Sequence, residues 1–424
     1  MFKIYTSTLR PQIRKRVEEI EKADIIVGIP CYNNEKTIGH VVRMASEGLH
    51  KYYRDLRSVI VVADGGSTDD SREVVEDVEL KPWQEKVVAI YRGPSGKGSA
   101  VRLIFEVASL LEAKACITVD ADLRSITSEW VKELLTPVLE RDFDFVAPVY
   151  IRHKHDGTIT NNIVYNVTRA LYGKRIRQPI GGDFAFSNKL VEAYLKKPVW
   201  DTEVARFGID IWVTTEAIVN GFKVCQANLG VKVHDAKDPA LHLGPMFREV
   251  VWTMFYLMRE HEPYWRSVEK SVPVETFGSP EKHEPEPVKV DLENLVYEFK
   301  MGFKQFAPVW QNILSKELFE YIERLADLSV RDFIIPIDIW SKIVYEWAAT
   351  YNVWAVNTRK LVMLLMPLYF GRVASFINET MNMTSEEAEA HVETQAQVFE
   401  DNKPYLIKVW DERKDETKRG KVCD

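Results

Sequence analysis

Four apolar runs in the first part of the chain alternate with polar loops and segments of helical spacing. They cover residues 24–30, 58–63, 86–91 and 115–119. Continuous apolar runs rich in β-branched residues are typical of strands that are covered on both faces. Repeated strand–loop–helix units predict an α/β fold with an open, Rossmann-like and mostly parallel sheet.

The rest of the chain divides by pattern into two parts. Strand-like runs at residues 143–150 and 221–233 extend the α/β domain. The stretch 278–287 is charged and rich in proline, which is typical of a linker or a surface excursion. Beyond it the chain is rich in aromatic residues and has a helical period. The pattern predicts an α/β domain over residues 1–260, then a linker and a C-terminal α-helical domain over residues 261–424.

Composition and charge narrow the class of protein. Hydrophobic residues at 46% and charged residues at 28% are near the averages for globular proteins. A formal net charge of -7 gives no overall positive field, which argues against a nucleic-acid partner. The N-terminus lacks the apolar core of a signal peptide, and the longest apolar run, residues 361–370, is far shorter than the ~20 residues of a membrane span. We therefore predict a cytoplasmic protein without a membrane span.

The cysteines carry no chemical signal. Their spacing matches no metal-ligand motif, which predicts reduced thiols at Cys31, Cys116, Cys225 and Cys423.

The sharpest chemical signal is a pair of carboxylates in Asp120-Ala121-Asp122, directly after the apolar run 115–119. Carboxylate oxygens are hard ligands, and at a strand end they suit a divalent cation that carries a diphosphate. The spacing alone is common, and a surface turn or a helix cap explains most such pairs. The choice between a metal site and a simple turn therefore depends on the three preceding loops.

These loops also fall at strand ends, where ligands bind in open α/β sheets. Asp64 can accept hydrogen bonds from a base or a ribose, and the turn Gly96-Lys97-Gly98 can bring amides and an ammonium group near a nucleotide. Taken singly, each loop is explained as a turn or a cap. In this order and spacing, the loops resemble the nucleotide half of the GT-A glycosyltransferases over roughly residues 24–250. The first loop contributes Pro30, Tyr32, Asn34 and Glu35.

Other nucleotide-binding classes are disfavoured. Residues 93–98 lack the GxxxxGK[ST] order of a P-loop, and no GxGxxG follows the first strand, as a dehydrogenase would require. A sugar nucleotidyltransferase carries a glycine-rich loop at that point, where residues 31–34 read Cys-Tyr-Asn-Asn. A non-catalytic sugar-binding protein is disfavoured by the intact Asp-Ala-Asp sequence and by His234.

Three later motifs narrow the resemblance. They are PIGGDF at residues 179–184, FGIDIW at 207–212 and NLGVKVH at 228–234. Each has a structural explanation, since Asp183 can cap a helix, Asp210 suits a first helical turn and a lone histidine is usually structural. Together they resemble one group of retaining GT-A enzymes, the mannosylglycerate synthases and the related glucosyl-3-phosphoglycerate and glucosylglycerate synthases.

This resemblance implies a reaction and a set of roles. The reaction is retaining transfer of glucose or mannose from a GDP- or UDP-sugar to glycerate or 3-phosphoglycerate, assisted by Mg²⁺ or Mn²⁺, which yields a compatible solute. Asp120 and Asp122 would lie at the ribose and the metal, with His234 as the second metal ligand. Asp210 and Asp183 are the candidate catalytic residues, and Asp210 would lie at the donor sugar. The remaining nucleotide-sugar residues would be Pro30, Tyr32, Asn34, Glu35, Asp64, Lys97, Ala121, Gly181 and Gly182.

The acceptor loop departs from the group. Where the phosphoglycerate enzymes have an arginine after the glycine, this chain has Thr158, which puts phosphate recognition in doubt. The hydroxyl could instead bind an unphosphorylated carboxylate, with Arg152, His153 or Lys154 supplying charge. Thr160 and Asn161 complete the predicted acceptor set. A solvated basic loop explains these residues nearly as well.

Two questions stay open in the sequence. A GT-A domain can serve other acceptors, such as a lipid phosphate or a saccharide, because the fold does not fix the chemistry. The C-terminal helices are candidates for a homodimer contact.

Overall fold

The computed structural model describes residues 7–234, 239–279 and 284–418, and it divides the chain into two compact units. Unit 1 comprises Met1–Arg152, Ile176–Lys237 and Val274–Glu286. Unit 2 comprises His153–Arg175, Asp238–Pro273 and Pro287–Asp424. Each unit is therefore assembled from three separate segments of the chain.

The described elements follow one another in a strand–helix rhythm and then become almost entirely helical. The strands are β1 (Ile25–Cys31), β2 (Ser58–Asp64), β3 (Gln84–Ile90), β4 (Ala115–Thr118), β5 (Phe145–Ile151), β6 (Lys174–Arg175), β7 (Phe184–Ser187), β8 (Val224–Val231), β9 (Val272–Pro273) and β10 (Thr276–Phe277). The helices are α1 (Pro11–Ile20), α2 (Ile38–Tyr52), α3 (Ser71–Glu76), α4 (Lys97–Leu110), α5 (Ser128–Arg141), α6 (Tyr165–Tyr172), α7 (Asn188–Leu195), α8 (Ile209–Val219), α9 (Pro239–Glu260), α10 (Glu262–Ser267), α11 (Leu292–Ile313), α12 (Lys316–Leu325), α13 (Ile337–Val353), α14 (Thr358–Thr380), α15 (Ser385–Asp401) and α16 (Lys403–Lys418).

Unit 1 is built on a sheet with the strand order β10-β8-β5-β7-β4-β1-β2-β3. Its pairs are parallel except those of β7, which runs antiparallel to β4 and to β5. Because β7 is reversed, its first residue Phe184 pairs with Thr118, the last residue of β4. The residue before β7 therefore lies at the same edge as the carboxyl ends of the parallel strands.

The sheet of unit 1 is covered on both faces, as its continuous apolar strands require. On one face, Ile25, Val27 and Ile29 of β1 pack with buried residues of α2 and α5 in a single hydrophobic core. On the other face α4 approaches β1 closely. A Cβ added to Gly28 would lie 2.3 Å from a side-chain carbon of Ile104, so this approach requires glycine.

Unit 2 is helical and rich in buried aromatic residues, among them Trp310, Trp340, Trp347 and Trp410. A buried π-helix, Thr160–Val164, leads directly into α6. Within the described residues, α14 is long and apolar enough to cross a membrane, and 72% of its most apolar 18-residue window is buried inside the protein.

The predicted fold class is confirmed, because the chain has a mostly parallel α/β sheet and a C-terminal helical region. The predicted boundary at residue 260 differs from the observed division. Residues 153–175 and α9 lie in unit 2, since α6 packs on α15 and α9 packs on α14. Cys31, Cys116 and Cys225 are buried free thiols, whereas Cys423 and the predicted loop residues 235–238 and 280–283 lie outside the described residues.

Candidate functional site

Five charged side chains meet at the carboxyl edge of the unit 1 sheet. Lys97 Nζ lies 2.8 Å from Asp120 Oδ1 and 3.2 Å from Asp210 Oδ2. Lys232 Nζ lies 3.0 Å from Asp120 Oδ2 and 2.8 Å from Asp183 Oδ2. We call Lys97, Asp120, Asp183, Asp210 and Lys232 the carboxylate–lysine cluster. It joins the loops that follow β3, β4 and β8 to the loop before β7 and the start of α8.

Two members of the cluster stand in the first turns of helices. Lys97 is the first residue of α4, after Gly96, and Asp210 lies in the first turn of α8. Helix N-termini carry partial positive charge and unpaired amides, so they favour bound anions. Burial opposes the charge of Lys97, but the carboxylates of Asp120 and Asp210 raise its pKa above the ordinary value. Lys97 therefore places a positive charge at the N-terminus of α4.

For the pKa of Asp210, the effect of burial outweighs the attraction of the neighbouring lysine. Burial raises the pKa of Asp210, and the neighbouring Lys97 only partly offsets this effect. A partly desolvated carboxylate with one lysine partner differs in its electrostatics from a surface aspartate. Such perturbed groups in a cleft are typical of functional sites.

Asp183 is the most enclosed carboxylate of the cluster, with no exposed side-chain surface. Its Oδ1 accepts a hydrogen bond of 2.8 Å from the backbone N–H of Asp120. Its Oδ2 accepts from Lys232 and from the hydroxyl of Tyr150. Burial raises the pKa of Asp183, and the charge of Lys232 works against that rise.

Lys232 and Tyr150 are site residues that the sequence reasoning missed. Lys232 is 3% exposed and donates a third hydrogen bond, of 2.9 Å, to the carbonyl oxygen of Gly181. Its ammonium group also lies 4.7 Å from the centre of the Tyr150 ring. The available signal was a lone lysine immediately after an apolar strand, two residues before His234.

Gly181 and Gly182, which are predicted to bind the nucleotide-sugar, form one wall of the cluster. Gly182 has φ +89°, and a Cβ there would lie 2.4 Å from Asp120 Oδ2 and 2.9 Å from Lys97 Nζ. A Cβ on Gly181 would lie 2.3 Å from Pro148 Cγ. Gly181 requires glycine because the Pro148 ring lies against its backbone. Gly182 requires it because its φ is positive, and an added Cβ would also displace the Asp120 carboxylate and the Lys97 ammonium group. Contact with a sugar stays a prediction.

The two predicted metal ligands are carried by neighbouring segments. Leu123, which follows Asp122, forms an antiparallel bridge with His234, and the N–H of Arg124 donates to the carbonyl oxygen of Val233 at 2.9 Å. A carboxylate and an imidazole are both acceptable ligands of Mn²⁺, and the carboxylate suits Mg²⁺. Among the described residues, no group of three or more acidic, histidine or cysteine side chains could hold a metal ion. The pair fits a metal only if substrate and water supply the other ligands.

The loops after β1 and β2 are held together by their own polar side chains. Asp64 is fully buried and accepts from the backbone N–H groups of Gly66 at 2.9 Å and Ser67 at 3.0 Å. Asn34 Oδ1 accepts from the N–H of Tyr32, and Glu35 Oε2 accepts from the N–H of Asp70. The hydroxyl of Thr37 donates to the carbonyl oxygen of Ala121 at 2.8 Å. These residues form the edge, and Tyr32 beside them is 60% exposed.

The predicted acceptor residues divide between the two units. Arg152 ends a segment of unit 1, and its guanidinium carbon lies 5.2 Å from the centre of the Tyr150 ring. In unit 2, the Thr158 hydroxyl lies 2.6 Å from the Tyr369 hydroxyl, and the Asn161 amide donates to the carbonyl oxygen of Asp156. Thr160 and Asn161 are buried in the π-helix. These three side chains therefore have polar or buried surroundings within unit 2, and their role at an acceptor stays a prediction.

Comparison with known proteins identifies the fold of the site. Residues 26–195 match Glycosyl transferase family 2, which is a GT-A family and confirms the predicted GT-A resemblance. The glucosyl-3-phosphoglycerate synthase of Petrotoga mobilis is 24% identical over 254 residues, which cover 56% of this chain and 75% of that protein. The undecaprenyl-phosphate 4-deoxy-4-formamido-L-arabinose transferase of Enterobacter sp. is 25% identical over 134 residues, which cover 32% of this chain and 38% of that protein.

A solved structure is also similar. It is the glucosyl-3-phosphoglycerate synthase of Mycobacterium tuberculosis in complex with Mn²⁺, uridine diphosphate and phosphoglyceric acid. Its sequence identity is 23% and the TM-score is 0.44, over 57% of this chain and 82% of that chain.

Proposed function

We propose that the protein is a retaining glycosyltransferase, because residues 26–195 match Glycosyl transferase family 2. It moves glucose or mannose from a GDP- or UDP-linked donor to glycerate or a glycerate derivative, and so makes a compatible solute in the cytoplasm. The observation that carries the proposal is the carboxylate–lysine cluster at the carboxyl edge of the sheet. The Petrotoga relative, a glucosyl-3-phosphoglycerate synthase, supports a glycerate-type acceptor.

The donor would be held by its charge and its hydroxyl groups. Lys97 at the start of α4 would stabilise the negative charge that develops on the departing diphosphate. Asp120, which is 24% exposed, would accept hydrogen bonds from the ribose, and Asp210 would orient hydroxyl groups of the donor sugar. The turn that Asp64 forms with Gly66 and Ser67 would lie beside the base of the nucleotide, together with the exposed Tyr32.

Asp122 and His234 are the residues proposed to hold Mg²⁺ or Mn²⁺. When bound, such an ion supplies positive charge to the diphosphate and lowers the cost of its departure. The Leu123–His234 bridge supports this pairing, because it fixes the segment of His234 beside the residue that follows Asp122.

Each unit carries one group that is proposed to recognise an acceptor carboxylate. Arg152 supplies the guanidinium group that suits a carboxylate. Thr158 is the second proposed group, and its replacement of the arginine expected there favours unphosphorylated glycerate over 3-phosphoglycerate.

The test is a matrix of transfer reactions with purified protein. UDP-glucose, GDP-glucose and GDP-mannose are each combined with D-glycerate or 3-phosphoglycerate, in Mg²⁺, Mn²⁺ or excess chelator. We expect an α-linked glycoside of glycerate, identified by NMR, that forms only with a metal ion. Asp122→Asn and His234→Ala should lose this product, while the exposed Asp142→Asn should retain it.

Two results would contradict parts of the proposal. Full activity in excess chelator would remove the metal role of Asp122 and His234. Nucleotide binding without transfer to either glycerate acceptor, together with transfer to a lipid phosphate, would keep the glycosyltransferase and replace its acceptor.

A further inference from the structure

Lys232 lies in a deeper layer of the site than the groups proposed to meet the donor. Its side chain is 3% exposed and its partner Asp183 is fully buried, whereas Lys97, Asp210 and Asp120 are 13%, 15% and 24% exposed. The cluster therefore has an outer layer that borders solvent and an inner pair beneath it. A role in direct contact with substrate falls to the outer layer.

All three hydrogen-bond donors of the Lys232 ammonium are used. They reach Asp120 Oδ2 at 3.0 Å, the Gly181 carbonyl oxygen at 2.9 Å and Asp183 Oδ2 at 2.8 Å. These acceptors belong to three separate segments, the loop after β4, the glycine turn and the residue before β7. A lysine has three such donors, so its bonding capacity is saturated by connections between segments.

The inner pair also fixes the backbone of the outer layer. Asp183 accepts the N–H of Asp120 at 2.8 Å, and Asp120 in turn bonds Lys97. Lys232 thus reaches Asp120 twice, directly through the carboxylate and indirectly through Asp183 and the backbone. Three carboxylates share two ammonium groups, a formal charge of -1, and loss of Lys232 would make it -2.

We propose that Lys232 is a positioning residue, which holds the Asp120 carboxylate and the Gly181–Gly182 turn in the arrangement that transfer requires. This inference rests on the proposed glycosyltransferase function. Groups that are fixed before the reaction stabilise a transition state more than groups that must reorganise. Lys232 would therefore contribute mainly to kcat, without touching the donor.

The first test compares Lys232→Met and Lys232→Arg with the exposed control Lys223→Met. We expect Lys232→Met to lower kcat about 100-fold while the donor KM changes less than about fivefold, because a preorganised group acts mainly on the transition state. Lys232→Arg keeps the charge and should recover at least part of kcat. A kcat for Lys232→Met within threefold of wild type would overturn the proposal.

A neutral double variant separates positioning from folding. Lys232→Met leaves Asp183 as a buried unpaired carboxylate and is expected to lower stability, whereas Asp183→Asn/Lys232→Met removes both charges. We expect the double variant to regain thermal stability but not kcat. Recovery of kcat together with stability would show that the pair only supports the fold, and would overturn the inference.

Hydrogen exchange at the Asp120 amide tests the positioning role of Lys232 without any transfer reaction. The Asp120 amide is protected by Asp183, so in Lys232→Met its exchange should be at least about tenfold faster than in wild type or Lys223→Met. If the wild type transfers no sugar to any acceptor, the proposed function fails, and this measurement alone decides the role of Lys232. Unchanged exchange at Asp120 would then overturn it.

Discussion

Both units bury charged side chains, but they balance the charges differently. In unit 2, Arg372 is fully buried and its guanidinium nitrogens bond both carboxylate oxygens of Glu379, at 2.8 and 2.6 Å. Its other bonds reach the Ile335 carbonyl oxygen, Asn162 and Gln395. The Arg372–Glu379 pair is formally neutral, whereas the carboxylate–lysine cluster of unit 1 has one carboxylate in excess and an exposed outer layer.

This contrast separates two uses of buried charge. The neutral pair lies within α14, and the remaining bonds of Arg372 tie that helix to Asn162 and to Gln395 of α15. All five guanidinium N–H groups are used, so the network fixes helix packing and has no capacity left for a ligand. The carboxylate–lysine cluster has excess charge at strand ends and helix N-termini, and its outer layer is accessible to a ligand. Burial opposes the charge on Glu379, but hydrogen bonds from His391 and Arg372 still lower its pKa, so the pair is ionised in the folded protein.

The largest expected effect is on the stability of unit 2. Arg372→Met leaves the Glu379 carboxylate without its main partner and should lower the free energy of unfolding by about 3–5 kcal/mol. Urea unfolding followed by tryptophan fluorescence measures the loss, with the exposed Arg331→Met as control. Arg372→Met/Glu379→Gln should recover part of it. A loss below about 1 kcal/mol would show that the Arg372–Glu379 pair contributes no more to stability than a surface ion pair.

Next in size is the effect of Lys97→Met on transfer. This change removes the cation at the start of α4 and should lower kcat/KM about 100- to 1000-fold, as expected for a group that stabilises developing charge. Steady-state kinetics with the preferred donor gives the value, and thermal unfolding checks the fold. Lys114→Met is the control, because the Lys114 side chain is 62% exposed and pairs with Asp24 away from the cluster. Equal activity of the two variants would show that Lys97 has no role in transfer.

A smaller effect should follow Gly182→Ala. Its Cβ would meet Asp120 and Lys97, and we expect kcat to fall about 30- to 100-fold with about 1 kcal/mol of lost stability from the positive φ. Gly221→Ala is a matched control, because Gly221 has φ +75° and no atom lies within 4 Å of its added Cβ. The control should share the loss of stability and keep kcat. If both variants keep kcat, contact with the cluster does not matter.

The smallest effect is a pH dependence in unit 2. Burial, together with the charges of His153 and Lys154, lowers the pKa of His155 to about 4, from an ordinary value of 6.5. The unfolded chain therefore takes up this proton first, so stability is lost as the pH falls from about 6.5 to about 4, and above 6.5 it is unaffected. The whole shift corresponds to about 3 kcal/mol, and screening by nearby solvent reduces the expected loss to about 1–2 kcal/mol. Urea unfolding at stepped pH measures it, and His155→Gln should flatten the dependence.

The strand-end residues were predictable from local sequence, and the inner pair was not. The apolar run before Asp120 predicts a buried strand, and the sequence itself places the carboxylates at the end of that strand. Lys232 reaches Asp120 and Asp183 only because β8, β5, β7 and β4 lie in that order in the sheet. The four residues of β7 are too few for a periodic pattern to predict the strand.

The division of the chain into units was also beyond local pattern. Residues 153–175 look like an ordinary loop and helix inside the α/β domain. Their place in unit 2 depends on Arg169, which pairs with Glu393 and Glu400 of α15 more than 220 residues later. Contacts of that sequence separation leave no periodic trace in either segment.

The interleaved units have a consequence for protein production and for folding on the ribosome. No single cut separates the two units, since a fragment ending at residue 260 keeps α6 and α9 and lacks α14 and α15, on which they pack. Such a fragment would carry Arg169, which is 4% exposed in the whole protein, without its two glutamates. During synthesis, α6 emerges long before α15, so the nascent chain must hold an unmatched segment until its final helices appear.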